Sequence, residues 1–171
     1  MSDNLSLAQG ASIAFSSGAL AAGTNAGTIK STATITYTVD GRFYSKAATD
    51  NVAISYTGPS VYQASAGGVQ SVNGSFTGAV GGSTRLYLIC LNTSGAFSIV
   101  PGKIVNTADL TAGRVSLDCP DAPNLVCAVG AMRVALTAGT TFAPGTTALD
   151  ASGVTTTFIN LSTVPANPLT A

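Results

Sequence analysis

Few side chains in this chain could do chemistry: seven aspartates, three cysteines and five tyrosines, with histidine, glutamate and tryptophan all absent. Without histidine, the commonest general base and the commonest metal ligand are missing together. Asp118 and Asp121 stand close in Asp118-Cys119-Pro120-Asp121, and a carboxylate pair is the machinery of glycoside hydrolysis. Aspartates beside prolines are ordinary turn formers, which is the reading favoured here. Cys119 and Cys127 bracket a loop short enough to be closed by a disulfide in an oxidising environment, with reduced thiols the default. Cys90, inside Arg85-Leu86-Tyr87-Leu88-Ile89-Cys90-Leu91, reads as a small hydrophobe packed in a strand. No CxxC pair occurs, so neither a metal nor a cofactor is expected. The serine-nucleophile elbow, the SxxK pair and the GxxxxGK[ST] phosphate loop are also missing, which removes the usual parts for acyl and phosphoryl transfer. Gly67-Gly68 and Gly81-Gly82 are loop glycines, since neither joins a strand to a helix start. No catalytic residues are expected. Sugar binding through tyrosine is a rival, but Tyr37, Tyr44 and Tyr56 sit in or next to alternating runs and belong to strand faces.

Ala, Gly, Ser and Thr make up 87 of the 171 residues, and only 14 residues carry charge, balanced at zero net. Neither sign gathers into a run, so no nucleic-acid and no membrane-surface partner is expected. The longest uncharged stretches are rich in Ser, Thr, Gly and Asn, unlike a membrane-spanning helix. The first residues lack the basic and apolar regions of an export signal, which points to synthesis in the cytoplasm.

The elements that must carry these residues read as strands. Thr34-Ile35-Thr36-Tyr37-Thr38-Val39 alternates, with Ile35, Tyr37 and Val39 on one face. Asp40-Gly41 then fits a two-residue type I′ turn, and Arg42 to Lys46 returns. Val52 to Tyr56 alternates again and would complete a three-stranded meander. Arg85 to Leu91, the turn Asn92-Thr93-Ser94-Gly95 and Ala96 to Val100 form a second hairpin, ended by Pro101-Gly102. Short strands at Lys103–Val105 and Arg114–Leu117, a longer one within Val126–Thr137 and one at Phe158–Leu161 finish the series. Leu86, Leu88, Val52, Ile54, Val134 and Leu136 join Ile35, Tyr37 and Val39 as the expected inward set. The class is all-β, an antiparallel sandwich or barrel with little helix.

Residues 1–27 differ: Leu5, Leu7, Ile13, Phe15 and Leu20 are scattered among Ala, Ser and Gly. They are expected to form an extended N-terminal arm that orders against a partner, preceding a single β domain over 28–171 with a short C-terminal tail.

Asp40 to Asn51, Thr141 to Asp150 and Val154 to Leu161 resemble segments of small virion proteins of tailed bacteriophages, above all capsid decoration, or cement, proteins. The resemblance spans roughly Thr28 to Pro168 and rests on structural motifs, so no catalytic residue carries over. It implies a non-enzymatic protein on the outer surface of the capsid, bound to the major capsid protein and to itself as a homotrimer, stabilising the shell. The five spaced apolar residues of the arm would then be capsid contacts. The alternative within the same resemblance is a head-fibre or tail-fibre attachment domain with receptor-binding or glycan-binding loops.

Overall fold

The structure, a computed structural model, describes residues 11–54, 56, 61–65, 68–72 and 74–162. Its elements are β1 (Leu20–Ala22), β2 (Thr28–Ser31), β3 (Ile35–Val39), β4 (Arg42–Lys46), β5 (Thr49–Ala53), β6 (Val61–Ser65), β7 (Gly68–Val72), β8 (Phe76–Thr77), β9 (Ser83–Asn92), β10 (Phe97–Asn106), the short helix α1 (Thr107–Thr111), β11 (Val126–Leu136), β12 (Thr141–Phe142) and β13 (Val154–Asn160). Every strand pair among the described residues is antiparallel. The chain is therefore all-β, as its alternating patterns require.

A four-stranded sheet in the order β10-β9-β11-β13 forms the backbone of the domain. Its inner face contributes Tyr87, Ile89, Leu91, Ile99, Cys127, Val129, Met132, Val134, Leu136 and Val154 to one buried cluster. Ala14, Leu20, Ile29, Ile35, Tyr37, Val39, Ile54, Phe76, Phe142 and Leu149 complete that cluster from the segments packed opposite. The result is a sandwich-like core between the large sheet and a layer built from the β1-β2-β5 sheet and the β3-β4 hairpin.

The β3-β4 hairpin follows its sequence closely. Asp40 (φ 50°) and Gly41 (φ 74°) both lie in the left-handed region, as a type I′ turn demands, and Ile35, Tyr37 and Val39 are buried. The third strand of the expected meander does not join it. β5 pairs with β2 instead, at a register shift between Ile29 and Ser31. Local hydrogen bonding favours that choice: Asp50 accepts from the amide and hydroxyl of Thr24, and Asn51 accepts from the Asn25 amide, tying β5 to the turn before β2. Val52 is only half-buried as a consequence.

The hairpin β9-β10 also forms, closed by Asn92, whose side-chain oxygen accepts from the Ser94 amide, the Ser94 hydroxyl and the Ala96 amide. Pro101-Gly102 does not end β10. The strand continues to Asn106 through a bulge between Pro101 and Ile104, tolerated because β10 is an edge strand where proline's missing N–H breaks no ladder. Thr107–Thr111 forms α1, capped by the Asn106 side chain bonding the Ala108 amide, and Arg114–Leu117 is not a strand.

β9 is buried on both faces. Tyr87, Ile89 and Leu91 enter the main cluster, so Leu86, Leu88 and Cys90 point the other way, yet Leu88 is only 2% exposed. Leu86 and Leu88 were expected inward with Tyr37. They are buried, but on the opposite face of the sheet. The loop after α1 approaches that sheet at Gly102, where a β-carbon would lie 3.3 Å from both the Asp118 carbonyl oxygen and Pro120 Cδ.

β11 changes phase partway along. Cys127 and Val129 face the cluster, then Met132, Val134 and Leu136 do. The register shift between Ala128 and Gly130 inserts one residue and flips the alternation, which keeps apolar side chains inward on both halves.

Candidate functional site

Residues 11–22 are not a free arm. Ile13 donates its amide to the Thr38 carbonyl and accepts from the Thr38 amide, and Phe15 donates to the Thr36 carbonyl, so this segment lies alongside β3 as an added strand. Ala14 bridges Tyr37 and is itself buried. Thr38 suits this position because its hydroxyl donates to the Ala11 carbonyl while accepting from the Ile13 amide. Leu20 goes deeper still. It is buried in the main cluster, and the space it fills exists because residue 130 is glycine: a β-carbon there would sit 2.3 Å from Leu20 Cδ1. The Leu20 amide donates to the side-chain oxygen of Asn160 at 2.8 Å. The expected boundary at residue 27 therefore moves: Ile13, Phe15 and Leu20 belong to the β domain, because backbone pairing and the Gly130 notch satisfy them within the chain. Leu5 and Leu7 lie outside the described residues.

Where this segment meets the hairpin, two aromatic rings lie together. Phe15 and Phe43 stack with centroids 5.3 Å apart, and Phe43 is 72% exposed. The register explains the exposure. Tyr44 is opposite Tyr37, and the two rings stack with centroids 5.7 Å apart, so Phe43, opposite Thr38, must project from the other face of the hairpin. Phe43 was not singled out from sequence, although this parity was legible once Asp40-Gly41 fixed the turn. Arg42 adjoins it, also solvent-facing. Beside the hairpin tip a groove of about 570 Å³ runs between Ser12, Asp40 and the loop 122–126, where Leu125 is largely exposed. Where the N-terminal segment joins the hairpin, the surface thus carries the Phe15–Phe43 stack and, near the hairpin tip, the exposed Leu125.

The chemistry-bearing residues do not converge on that surface. Asp118 accepts from the Ser116 hydroxyl at 2.8 Å and, like Asp121, lies exposed in the loop after α1. All three thiols are free. The bond between Cys119 and Cys127 is not formed: Cys127 pairs opposite Leu91 in β11 and is fully buried in the core cluster, while Cys119 is in the exposed loop. Burial pushes the Cys90 thiol up to about 12 and Cys127 up to about 11, so both stay protonated and inert. Among the described residues, no group of three or more His, Cys, Asp or Glu side chains is placed to hold a metal ion.

One charged residue that sequence reasoning passed over is fully buried. Arg85 lies between aromatic rings, its guanidinium carbon 5.2 Å from the Tyr87 ring centre and 5.9 Å from that of Phe76. Its Nε donates to the Gly102 carbonyl at 2.8 Å, which anchors the β10 bulge, and Nη2 has no hydrogen-bond partner among the described residues. Tyr87 donates its hydroxyl to the Gly74 carbonyl, and burial raises its pKa. Desolvation pulls the Arg85 pKa down. The signal in the sequence was a lone cation opening an apolar strand. Cation–π contact and two carbonyls, those of Gly102 and Ser75, hold it in place, a packing role.

No family model matches the chain, no curated protein matches it, and no solved structure matches it.

Proposed function

We propose that this protein is a non-enzymatic structural component of a tailed-phage virion that binds the outer surface of the capsid and stabilises it. The observation that carries the reading is the stacked pair of the half-buried Phe15 and the exposed Phe43, set where residues 11–16 join the hairpin. An aromatic pair held on rigid strands is a contact surface with little ordering entropy left to lose, and aromatic anchors dominate interface energetics. The major capsid protein is the partner, met through apolar and backbone contacts, since a chain with 14 charges and zero net charge has few ion pairs to offer. A homotrimer on the shell, as the resemblance to decoration proteins implies, would place three such surfaces against neighbouring capsomers.

Electron cryomicroscopy of particles carrying the wild-type chain or the Phe15→Ala/Phe43→Ala variant tests this. The expected result is many copies spread over the shell, with occupancy sharply reduced in the variant while its circular dichroism stays that of the wild type. Retention of full occupancy would remove Phe15 and Phe43 from the interface, and density confined to a few copies at an appendage would favour a fibre attachment domain.

A further inference from the structure

The four-stranded sheet ends differently on its two sides. At the β10 edge Pro101, a bulge and the exposed Lys103 interrupt the strand, and α1 follows directly; these are the usual devices that keep an edge from recruiting another strand. The β13 edge has none of them. Val154-Thr155-Thr156-Thr157-Phe158-Ile159-Asn160 contains no charge and no proline, pairs with β11 through an unbroken register, and has no strand hydrogen-bonded on its far side among the described residues; β1 approaches it, the Leu20 amide reaching the Asn160 side chain.

The direction of its backbone groups can be read from the ladder. Leu161 donates its amide to the Val129 carbonyl, and the Thr137 amide donates to the Gly153 carbonyl, so odd-numbered residues point their backbone groups at β11. Alternation turns those of Val154, Thr156, Phe158 and Asn160 outward. The Val154 amide is bonded to the Ala151 carbonyl. The amides and carbonyls of Thr156, Phe158 and Asn160, with the Val154 carbonyl, form an open row.

We propose that this edge pairs with the same edge of a second copy, antiparallel about a twofold axis at Thr157. That register is self-complementary. Thr157 meets its own counterpart as a non-hydrogen-bonded pair, Thr156 exchanges backbone bonds with Phe158 of the other copy, and Val154 lies opposite Asn160. On the outer face, Ile159, 43% exposed, would meet Thr155, a β-branched pair. No charge is carried by either strand. Arg133, opposite Thr157 on β11, would be separated from its symmetry mate by three strand spacings, roughly 14 Å. That exceeds the screening length of about 8 Å at physiological ionic strength. The two sheets would join into one continuous sheet. This interface is independent of the capsid reading and of a threefold contact; on a shell it would tie neighbouring copies edge to edge.

Strand pairing alone buries less than the roughly 1,000 Å² of a stable interface, so association is tested from about 10 μM to about 1 mM. Sedimentation velocity on the full chain should show mass rising towards the dimer across that range. Thr157→Asp gains an Arg133 neighbour within its own sheet and keeps the fold, but sets two carboxylates against each other at the axis. It should therefore remain monomeric where the wild type pairs, and mixing it with Thr157→Lys should restore pairing. Hydrogen exchange at the Thr156, Phe158 and Asn160 amides should slow with concentration in the wild type only. The proposal is overturned by a chain monomeric at the highest concentration, or by pairing indifferent to Thr157→Asp. Concentration-independent protection of those amides would also overturn it, since a segment of the same chain would then cover the edge.

Discussion

Cys119 is exposed while Cys90 and Cys127 are enclosed, one on each face of the sheet, and a thiol reagent should see that difference. In the native protein at mildly alkaline pH one thiol should react fast, and two more should become reactive only with denaturant. Mass spectrometry of the labelled peptides checks it; fast labelling of Cys90 would mean that the loop after α1 does not shield it. Arg85 makes a second residue-level prediction. Truncation to Ala leaves a void between Tyr87 and Phe76 and strips the Gly102 carbonyl of its donor, so Arg85→Ala should cost about 2–5 kcal/mol. Arg85→Met fills the space without burying a charge and should cost clearly less, as charge replaced by apolar volume often does. The order of the two denaturation midpoints is the test.

At the scale of elements, the fold depends on three register shifts, in β2–β5, β9–β10 and β9–β11, and one notch. Gly130→Ala would drive a methyl into Leu20 and towards the Ile159 carbonyl, 2.9 Å away, costing about 1–3 kcal/mol by overpacking. Leu20→Ala relieves that clash, so the double variant should be more stable than the sum of the singles predicts, a coupling measurable by a double-mutant cycle. These features also mark how far the sequence could be read. The hairpins at Asp40-Gly41 and Asn92–Gly95 are written in local alternation and turn residues, whereas β13 starts at Val154, four residues before the strand expected at Phe158–Leu161. The partner of β5 is not local: it was settled by Asp50 and Asn51 reaching the turn before β2. The extension of β10 through Pro101 needed knowledge that β10 is an edge. Leu20 looked like part of an arm because nothing nearby in sequence could bury it, and its pocket is made by Gly130. Of the candidate surface, Ile13 and Phe15 were noticed for their apolar spacing, whereas Phe43 became visible only through the cross-strand register.

For the molecule as a whole, the buried thiols set a pH limit. Both are held above the ordinary thiol value of 9, up to about 12 for Cys90 and about 11 for Cys127. The unfolded chain therefore releases these protons before the native one does. Their contribution is fully present below about pH 9 and is lost as pH rises through about 12, an alkaline weakening that the raised tyrosines Tyr37 and Tyr87 reinforce. Denaturant midpoints measured from neutrality to about pH 11 should fall, and Cys90→Ala should flatten the fall. Truncation separates body from arm. Removing residues 2–10 should leave the domain folded, whereas removing residues 2–22 takes away the strand beside β3 and the Leu20 anchor, and should abolish cooperative melting. The hydrogen bond from Leu20 to Asn160 has a further consequence, for the order of events during synthesis. Its partners are 140 positions apart, so Leu20 must wait for the intervening residues to leave the ribosome. At roughly 5–20 residues per second that interval is about 7–28 s, during which Leu20 lacks its Asn160 partner although residues 11–16 can already pair with β3. Seating of Leu20 is thus one of the last steps of folding, and a nascent chain stalled before residue 130 should be cut by protease near Leu20 while the folded protein resists.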